Sequence, residues 1–78
     1  MKDYKILLSS IGDVKEFVAV TNDCPFDIDV ISGRYAVDAK SIMGIFSLDL
    51  EKTLTVTVHG TDKQCEDFAD EVKKFMVD

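Results

Sequence analysis

Apolar residues recur along the chain at two spacings, and each spacing predicts a different kind of element. Period-2 alternation or a short apolar run predicts β-strands at Tyr4–Leu8, Asp27–Ile31, Arg34–Asp38 and Thr53–Val58. Ser32-Gly33 is a turn signal that joins the second and third strands into a hairpin. In the last strand Leu54, Val56 and Val58 alternate with threonines, so one face of the sheet is expected to meet solvent.

Three further segments have the i, i+3, i+4 spacing of amphipathic helices. They are Ile11–Asn22, a short Ser41–Ser47 segment, and a last helix that begins after Thr61 and continues through Met76. Ser10 with Asp13, and Thr61 with Gln64, have the spacing of capping boxes. The predicted core-facing side chains are Ile11, Val14, Phe17, Val18 and Thr21 in the first helix and Cys65, Phe68, Ala69, Val72, Phe75 and Met76 in the last.

The resulting order of elements, β-α-β-β-α-β-α, predicts an α+β fold. We expect an open-faced β-sandwich, in which a four-stranded, mostly antiparallel sheet carries three helices on one face. The 78 residues are enough for one modest core, so residues 1–78 are predicted to form a single domain.

The short helix carries more apolar side chains than one core-facing stripe uses. Ile45 and Leu48 fall on one side, whereas Ile42, Met43 and Phe46 cluster on another. An exposed apolar patch on a small acidic protein is typical of a protein-docking surface, and Met suits adaptable contacts. Cover by a loop or a neighbouring helix, or self-association, would also account for the patch.

Ser41 stands at the start of this helix and is predicted to be its N-cap. A phosphate there would face the free amides of the first turn, which makes Ser41 a candidate phosphorylation switch. Lys40 would offset part of the added charge, and Asp38 would oppose it. The alternative interpretation is that Ser41 only caps the helix, a role that contributes about 1 kcal/mol.

Composition limits the classes of partner. Nine basic and 15 acidic residues give a formal net charge of −6, which repels nucleic acid and anionic lipid and favours protein partners. No apolar run reaches the length of a signal or a membrane span, so a cytoplasmic location is expected. Cys24 and Cys65 are expected to be reduced thiols, and neither a cofactor nor a metal site is predicted.

The run Lys40-Ser41-Ile42-Met43-Gly44, followed by Ser47-Leu48, resembles a known family when it is taken with the order of elements and the Ser32-Gly33 hairpin. The chain is similar over nearly its whole length to the HPr family of the bacterial phosphoenolpyruvate-dependent sugar phosphotransferase system. In members from low-GC Gram-positive bacteria, the matching serine is the substrate of a dedicated kinase. The resemblance therefore implies a serine kinase and a carbon-catabolite transcription regulator as partners, and Ser41 as the modified residue.

The chain departs from the family at the start of the first helix. Members that carry phosphate do so on a histidine there, with an arginine within two residues; the corresponding positions fall near Ser10 and Gly12. A serine phosphate is a stable ester, whereas phosphohistidine holds its phosphoryl group at high energy, so Ser10 cannot take over the role. In this respect the chain resembles the Crh-like members, which lack the carrier histidine and act in regulation.

His59, the only histidine, follows the last strand. It is expected to be an exposed turn residue; a relocated phosphoacceptor is the alternative, which Asp62 and Glu66 would oppose. One histidine cannot complete a catalytic constellation, so no enzyme activity is predicted. The sequence thus predicts an HPr-like regulatory or adaptor protein; residual phosphate transfer through His59, or a binding module without phosphorylation, are the alternatives.

Overall fold

Strands and helices follow one another in the predicted order in the computed structural model, which describes residues 1–77. The elements are β1 (Lys2–Ile6), α1 (Ile11–Asn22), β2 (Asp27–Ser32), β3 (Tyr35–Asp38), α2 (Ile42–Phe46), β4 (Leu54–His59), α3 (Asp62–Glu71) and a terminal 3-10 turn (Lys73–Phe75). The four strands form one antiparallel sheet in the order β1-β4-β2-β3, and the helices cover one face of it. The predicted α+β fold is confirmed.

The core lies between the sheet and the helices. The central strands β4 and β2 send alternate apolar residues toward the helices, where they are fully or almost fully buried: Leu54, Val56, Val58, Ile28 and Val30. The helices meet them with Val14, Phe17, Ile45 and Phe68. The opposite, period-2 positions of the strands form the outer face. The expectation that the threonines of β4 meet solvent is wrong for Thr57, which is buried between Asp3 of β1 and Asp29 of β2.

The turn between β2 and β3 depends on a glycine. Gly33 has φ +57°, a left-handed conformation that a side chain disfavours. Ser32 pairs with Tyr35 on either side of the turn. This closes the predicted hairpin and leaves β3 as an edge strand of the sheet.

The prediction for β1 is wrong by two residues at each end. The strand runs over Lys2–Ile6 because it pairs with β4, and its last partner pair is Ile6 with Leu54. Leu7 and Leu8 leave the sheet, and Leu8 is buried in the core instead. The partner strand therefore sets the end of β1.

The prediction that the last helix continues through Met76 is also wrong. α3 ends at Glu71, and a 3-10 turn follows. The Leu7 amide donates to the Phe75 carbonyl at 2.8 Å, and the Val77 amide donates to the Lys5 carbonyl at 3.0 Å. The C-terminal segment therefore leaves the helix to satisfy backbone groups beside β1 and to bury Phe75.

Ile11 is the exception on the core-facing side of α1. The other four predicted residues are buried, but Ile11 is 64% exposed. It is the first residue of the helix, three residues before the first buried position, Val14.

Candidate functional site

Two hydrogen bonds tie the segment before α2 to the C-terminal end of α1. The Thr21 hydroxyl lies 2.9 Å from the Ala39 carbonyl and 2.8 Å from the Val18 carbonyl, and it shares its proton between them. The Asn22 Nδ2 donates to the Lys40 carbonyl at 3.3 Å. Because Thr21 and Ala39 are fully buried, α1 fixes where Ser41 begins α2.

Removing the Thr21 hydroxyl is expected to loosen this connection. Thr21→Val keeps the side-chain shape but leaves the buried Ala39 carbonyl without its donor, which should cost about 1–3 kcal/mol of unfolding free energy. Urea denaturation measures the loss, and amide exchange in residues 39–41 should rise with it. Thr53→Val, at an exposed position, is the matched control and should change stability by less than about 0.5 kcal/mol. Equal stability of the two variants would contradict the assignment.

Ser41 is the exposed N-cap of α2. Its Oγ accepts the Gly44 amide at 3.2 Å, so the predicted capping is observed. A Cβ on Gly44 would lie 3.3 Å from the Val37 Cβ, so the helix packs closely on β3. The Asp38 Oδ1 accepts the Lys40 amide at 2.9 Å, which places one carboxylate close to the serine.

The apolar surplus of α2 is only partly exposed. Ile45 and Leu48 are buried, as predicted. Met43 is 76% exposed and Phe46 is 39% exposed, but Ile42 is half-buried and packs against the core. The expectation of a three-residue exposed patch is therefore corrected: Met43 and Phe46 form the exposed part, which we call the α2 patch, because Ile42 turns toward the sheet.

The α2 patch adjoins a cleft that the sequence did not indicate. Phe46 lines a cavity of about 320 Å³ with Leu8, Ile11 and Leu50, and the polar residues Ser9, Ser10 and Glu51 complete its lining. Ile11 and Leu50 were missed because the first was assigned to the core and the second lies in a loop without periodicity. The structure thus brings the start of α1 and the end of α2 to one apolar cleft.

The start of α1 carries a carboxylate beside the cleft. The Ser10 Oγ accepts the Asp13 amide at 3.0 Å, as the predicted cap requires. The Asp13 carboxylate, however, accepts hydrogen bonds from the amide of Ser9 at 3.1 Å and from the Ser9 hydroxyl at 3.0 Å. In a capping box it would instead accept the backbone amide of Ser10. These hydrogen bonds from Ser9 lower the pKa of Asp13. The resulting negative charge disfavours an anion at this helix end.

His59 lies in the sheet rather than at a helix start. It ends β4, and its Nε2 lies 2.9 Å from the Asp29 Oδ2. Asp27 and Asp38 line the same cavity on the sheet. The carboxylate in contact is therefore Asp29, rather than the Asp62 and Glu66 that the sequence suggested, and an incoming phosphoryl group would meet negative charge here.

The remaining candidate residues occupy ordinary positions. Cys65 is buried and Cys24 is half-buried, and both are free thiols. Arg34 is exposed in the hairpin. Within residues 1–77, no three His, Cys, Asp or Glu side chains come together in an arrangement that could hold a metal ion. None of the helices among these residues combines the length and the apolar composition needed to cross a membrane.

Comparisons with solved structures find the same architecture. HPr (HPr-C-His) from Thermoanaerobacter tengcongensis superposes with a TM-score of 0.76 at 24% identity, covering 95% of this chain and 93% of its own. The phosphocarrier protein HPr from Bacillus anthracis gives 0.67 at 27%, with coverage of 90% and 94%. The catabolite-repression protein Crh from Bacillus subtilis gives 0.63 at 27%, with coverage of 95% and 88%. The search of curated proteins finds no significant match.

The family profile described as "PTS HPr component phosphorylation site" matches residues 14–78. The match includes the Ser41 segment and the α2 patch, and it begins after Ser10 and Asp13. It extends over far more than half of the sequence, and the solved structures agree with it in fold. The chain therefore belongs to the HPr family of the phosphoenolpyruvate-dependent sugar phosphotransferase system.

Proposed function

We propose that this chain is a cytoplasmic regulatory or adaptor protein of bacterial carbon regulation that does not carry phosphate on a histidine. The observation that carries the proposal is the chemistry at the start of α1. Where carriers of the family use a histidine and an arginine, this helix offers Ser10 and Gly12, with the Asp13 carboxylate beside them. The helix end therefore lacks the histidine nucleophile and the arginine, and the nearby cation, Lys74, is paired with Glu16.

The chain's own histidine is a poor replacement. Phosphoryl transfer to His59 would bring two added negative charges to a ring whose Nε2 already lies 2.9 Å from the Asp29 carboxylate. Asp27 and Asp38 add to the negative field on that face. These contacts favour a regulatory role over phosphoryl transfer between proteins.

Ser41 is the proposed switch. Its hydroxyl is exposed, and its segment is fixed to α1 through the Ala39 and Lys40 carbonyls, so a kinase would meet an ordered target. A phosphate on Ser41 adds nearly two negative charges next to the α2 patch, with Lys40 as the adjacent cation. The proposed partners are the dedicated serine kinase and a carbon-catabolite transcription regulator. The net charge of −6 argues against nucleic acid or membranes as partners.

The docking surface in this proposal is formed by Met43 and Phe46, with the half-buried Ile42 beneath them. Proteins of the HPr family are phosphocarriers rather than enzymes, and they interact with other proteins of the phosphotransferase system and with regulators. A protein-binding patch next to a modifiable serine fits that mode of action.

Labelling with ATP and a cognate serine kinase tests the switch. The expected product is a single phosphorylated species, which intact-mass spectrometry measures and fragmentation places on Ser41. Ser41→Ala should abolish labelling, whereas Ser47→Ala, at the opposite end of the same helix, should leave it unchanged. A phosphate that maps elsewhere, or that persists in Ser41→Ala, would rule out the switch.

Incubation with phosphoenolpyruvate and the first enzyme of the phosphotransferase system tests whether the chain carries phosphate. We expect no acid-labile adduct on this chain. Labelling that is lost in His59→Ala would support the alternative of residual transfer through His59. Labelling by neither reaction, with partner binding intact in Ser41→Ala, would leave the alternative of a binding module that uses no phosphorylation.

A further inference from the structure

A cavity that begins beside the C-terminal end of α1 and runs along α3 from Gln64 to Glu71 is not used by the proposed function. It lies between the Cys24-Pro25-Phe26 segment and one face of α3, and its volume is about 190 Å³. This volume is smaller than the usual pocket for a free metabolite, about 300–1,000 Å³. It suits one long side chain of a partner.

The floor of this cavity is apolar and its wall is fixed. Phe68 is buried beneath it, and the half-buried Phe26 forms one side. The Phe26 ring packs on Gly60, where an added Cβ would lie 3.3 Å from the ring. The aromatic face is therefore held in place before any partner binds.

The rim of the cavity is negative. Asp23, Asp67 and Glu71 line it, and no lysine or arginine does. The exposed Asp67 carboxylate forms an ion pair with the Lys63 ammonium group at 3.5 Å. Within residues 1–77, Asp23 and Glu71 form no ion pair or side-chain hydrogen bond. Their charges are thus available to a ligand.

The helix ends reinforce this charge. Asp23 caps the C-terminus of α1, and Glu71 is the last residue of α3. Neither helix has a basic residue in its last turn, so the partial negative charge of the carbonyl ends is offset only from outside the helices, by Lys40 near α1 and by Lys73 after α3. Burial, and then Glu71, raise the pKa of the Cys24 thiol on the cavity wall, whereas Lys40 lowers it.

We propose that this cavity receives an arginine side chain of a protein partner, with its methylenes on the apolar floor and its guanidinium over Phe26 between Asp23 and Glu71. Arginine fits the combination best because its planar cation stacks on aromatic rings and pairs with carboxylates at once. Lysine would pair with the rim but would not stack in this way. The surface is separate from the α2 patch, and the proposal does not depend on phosphorylation of Ser41.

The test uses the blocked tripeptide Gly-Arg-Gly as the probe, with Gly-citrulline-Gly as its uncharged isostere. We expect the arginine peptide to shift the amide resonances of Cys24 and Phe68 with a dissociation constant in the millimolar range, typical of one anchored side chain. It should also slow alkylation of the Cys24 thiol. The citrulline peptide should do neither at the same concentration.

Variants separate the cavity from the general acidity of the chain. Asp23→Asn with Glu71→Gln should weaken binding of the arginine peptide about 5- to 10-fold. Glu51→Gln with Glu66→Gln removes the same charge outside the cavity and should leave binding within about 2-fold. Equal weakening in both pairs, equal binding of the citrulline peptide, or shifts confined to other surfaces would overturn the proposal.

Discussion

Phe17→Ala is expected to destabilise the fold by about 3–5 kcal/mol. Phe17 is fully buried in α1, and its ring makes edge-to-face contacts with Phe68 at 6.1 Å and Phe75 at 6.4 Å between centroids. Truncation therefore removes the contact that joins α1, α3 and the C-terminal turn. A 78-residue domain has a total stability of about 4–12 kcal/mol, so much of the variant could be unfolded at 37 °C.

Urea denaturation followed by circular dichroism measures this loss. Tyr35→Ala is the control, because that aromatic ring is 72% exposed and its removal should cost less than about 0.5 kcal/mol. A loss below about 1.5 kcal/mol for Phe17→Ala would show that the core closes around the gap, and that these three rings are not its centre.

Local signals predicted α1 and the start of α3 without error. α1 begins after Ser10 and ends at Asn22, as predicted, because its cap, apolar stripe and stop signal all lie within the segment itself. The capping box of Thr61 with Gln64 is also complete. The Thr61 amide donates to the Gln64 Oε1 at 2.9 Å, and the Gln64 amide donates to the Thr61 Oγ1 at 3.2 Å. Such features need no information from the rest of the chain.

Features that depend on distant residues were the ones missed. The end of β1 is set by its partner Leu54, and the end of α3 is set by backbone bonds to Lys5 and Leu7. Periodicity identifies an apolar face, but it does not show how far the core extends beneath it. For this reason Ile11 was assigned to the core although it is exposed.

In the candidate site, too, the sequence predicted the local contact and missed the contacts between distant residues. The cap of Ser41 was predicted because it acts over three residues. The Thr21 contact with Ala39 spans 18 residues, and the His59 contact with Asp29 spans 30, so no local pattern indicates them. The depth of Ile42 likewise depends on how closely α2 packs against β3, which Gly44 permits.

Phe46→Asp is expected to weaken binding to a regulator partner by about 30-fold or more, which corresponds to about 2 kcal/mol. The ring is 39% exposed and joins the Met43 surface to the cleft lined by Ile11 and Leu50. An aromatic side chain at the centre of such an apolar surface is the kind that dominates docking energy. A carboxylate there would have to be desolvated on binding, and it would repel the phosphate proposed for Ser41.

Titration calorimetry with the proposed partner, a transcription regulator of carbon catabolism, measures this effect. The chain is used both unmodified and after phosphorylation at the proposed site, Ser41. Tyr35→Asp is the matched control, because it introduces the same charge at an exposed aromatic residue of the hairpin, outside the cleft. It should alter affinity by less than about 3-fold. Urea midpoints of both variants check that each remains folded.

The two forms of the protein also separate docking from switching. If Phe46→Asp reduces affinity equally with and without phosphate, the α2 patch provides the contact and Ser41 adds its charge independently. If the loss appears only in the phosphorylated form, the serine and the ring act as one coupled surface, as their positions at the N-cap and the last residue of one short helix favour. Wild-type affinity for Phe46→Asp in both forms, together with a loss for Tyr35→Asp, would move the docking surface to the hairpin and contradict the assignment to α2.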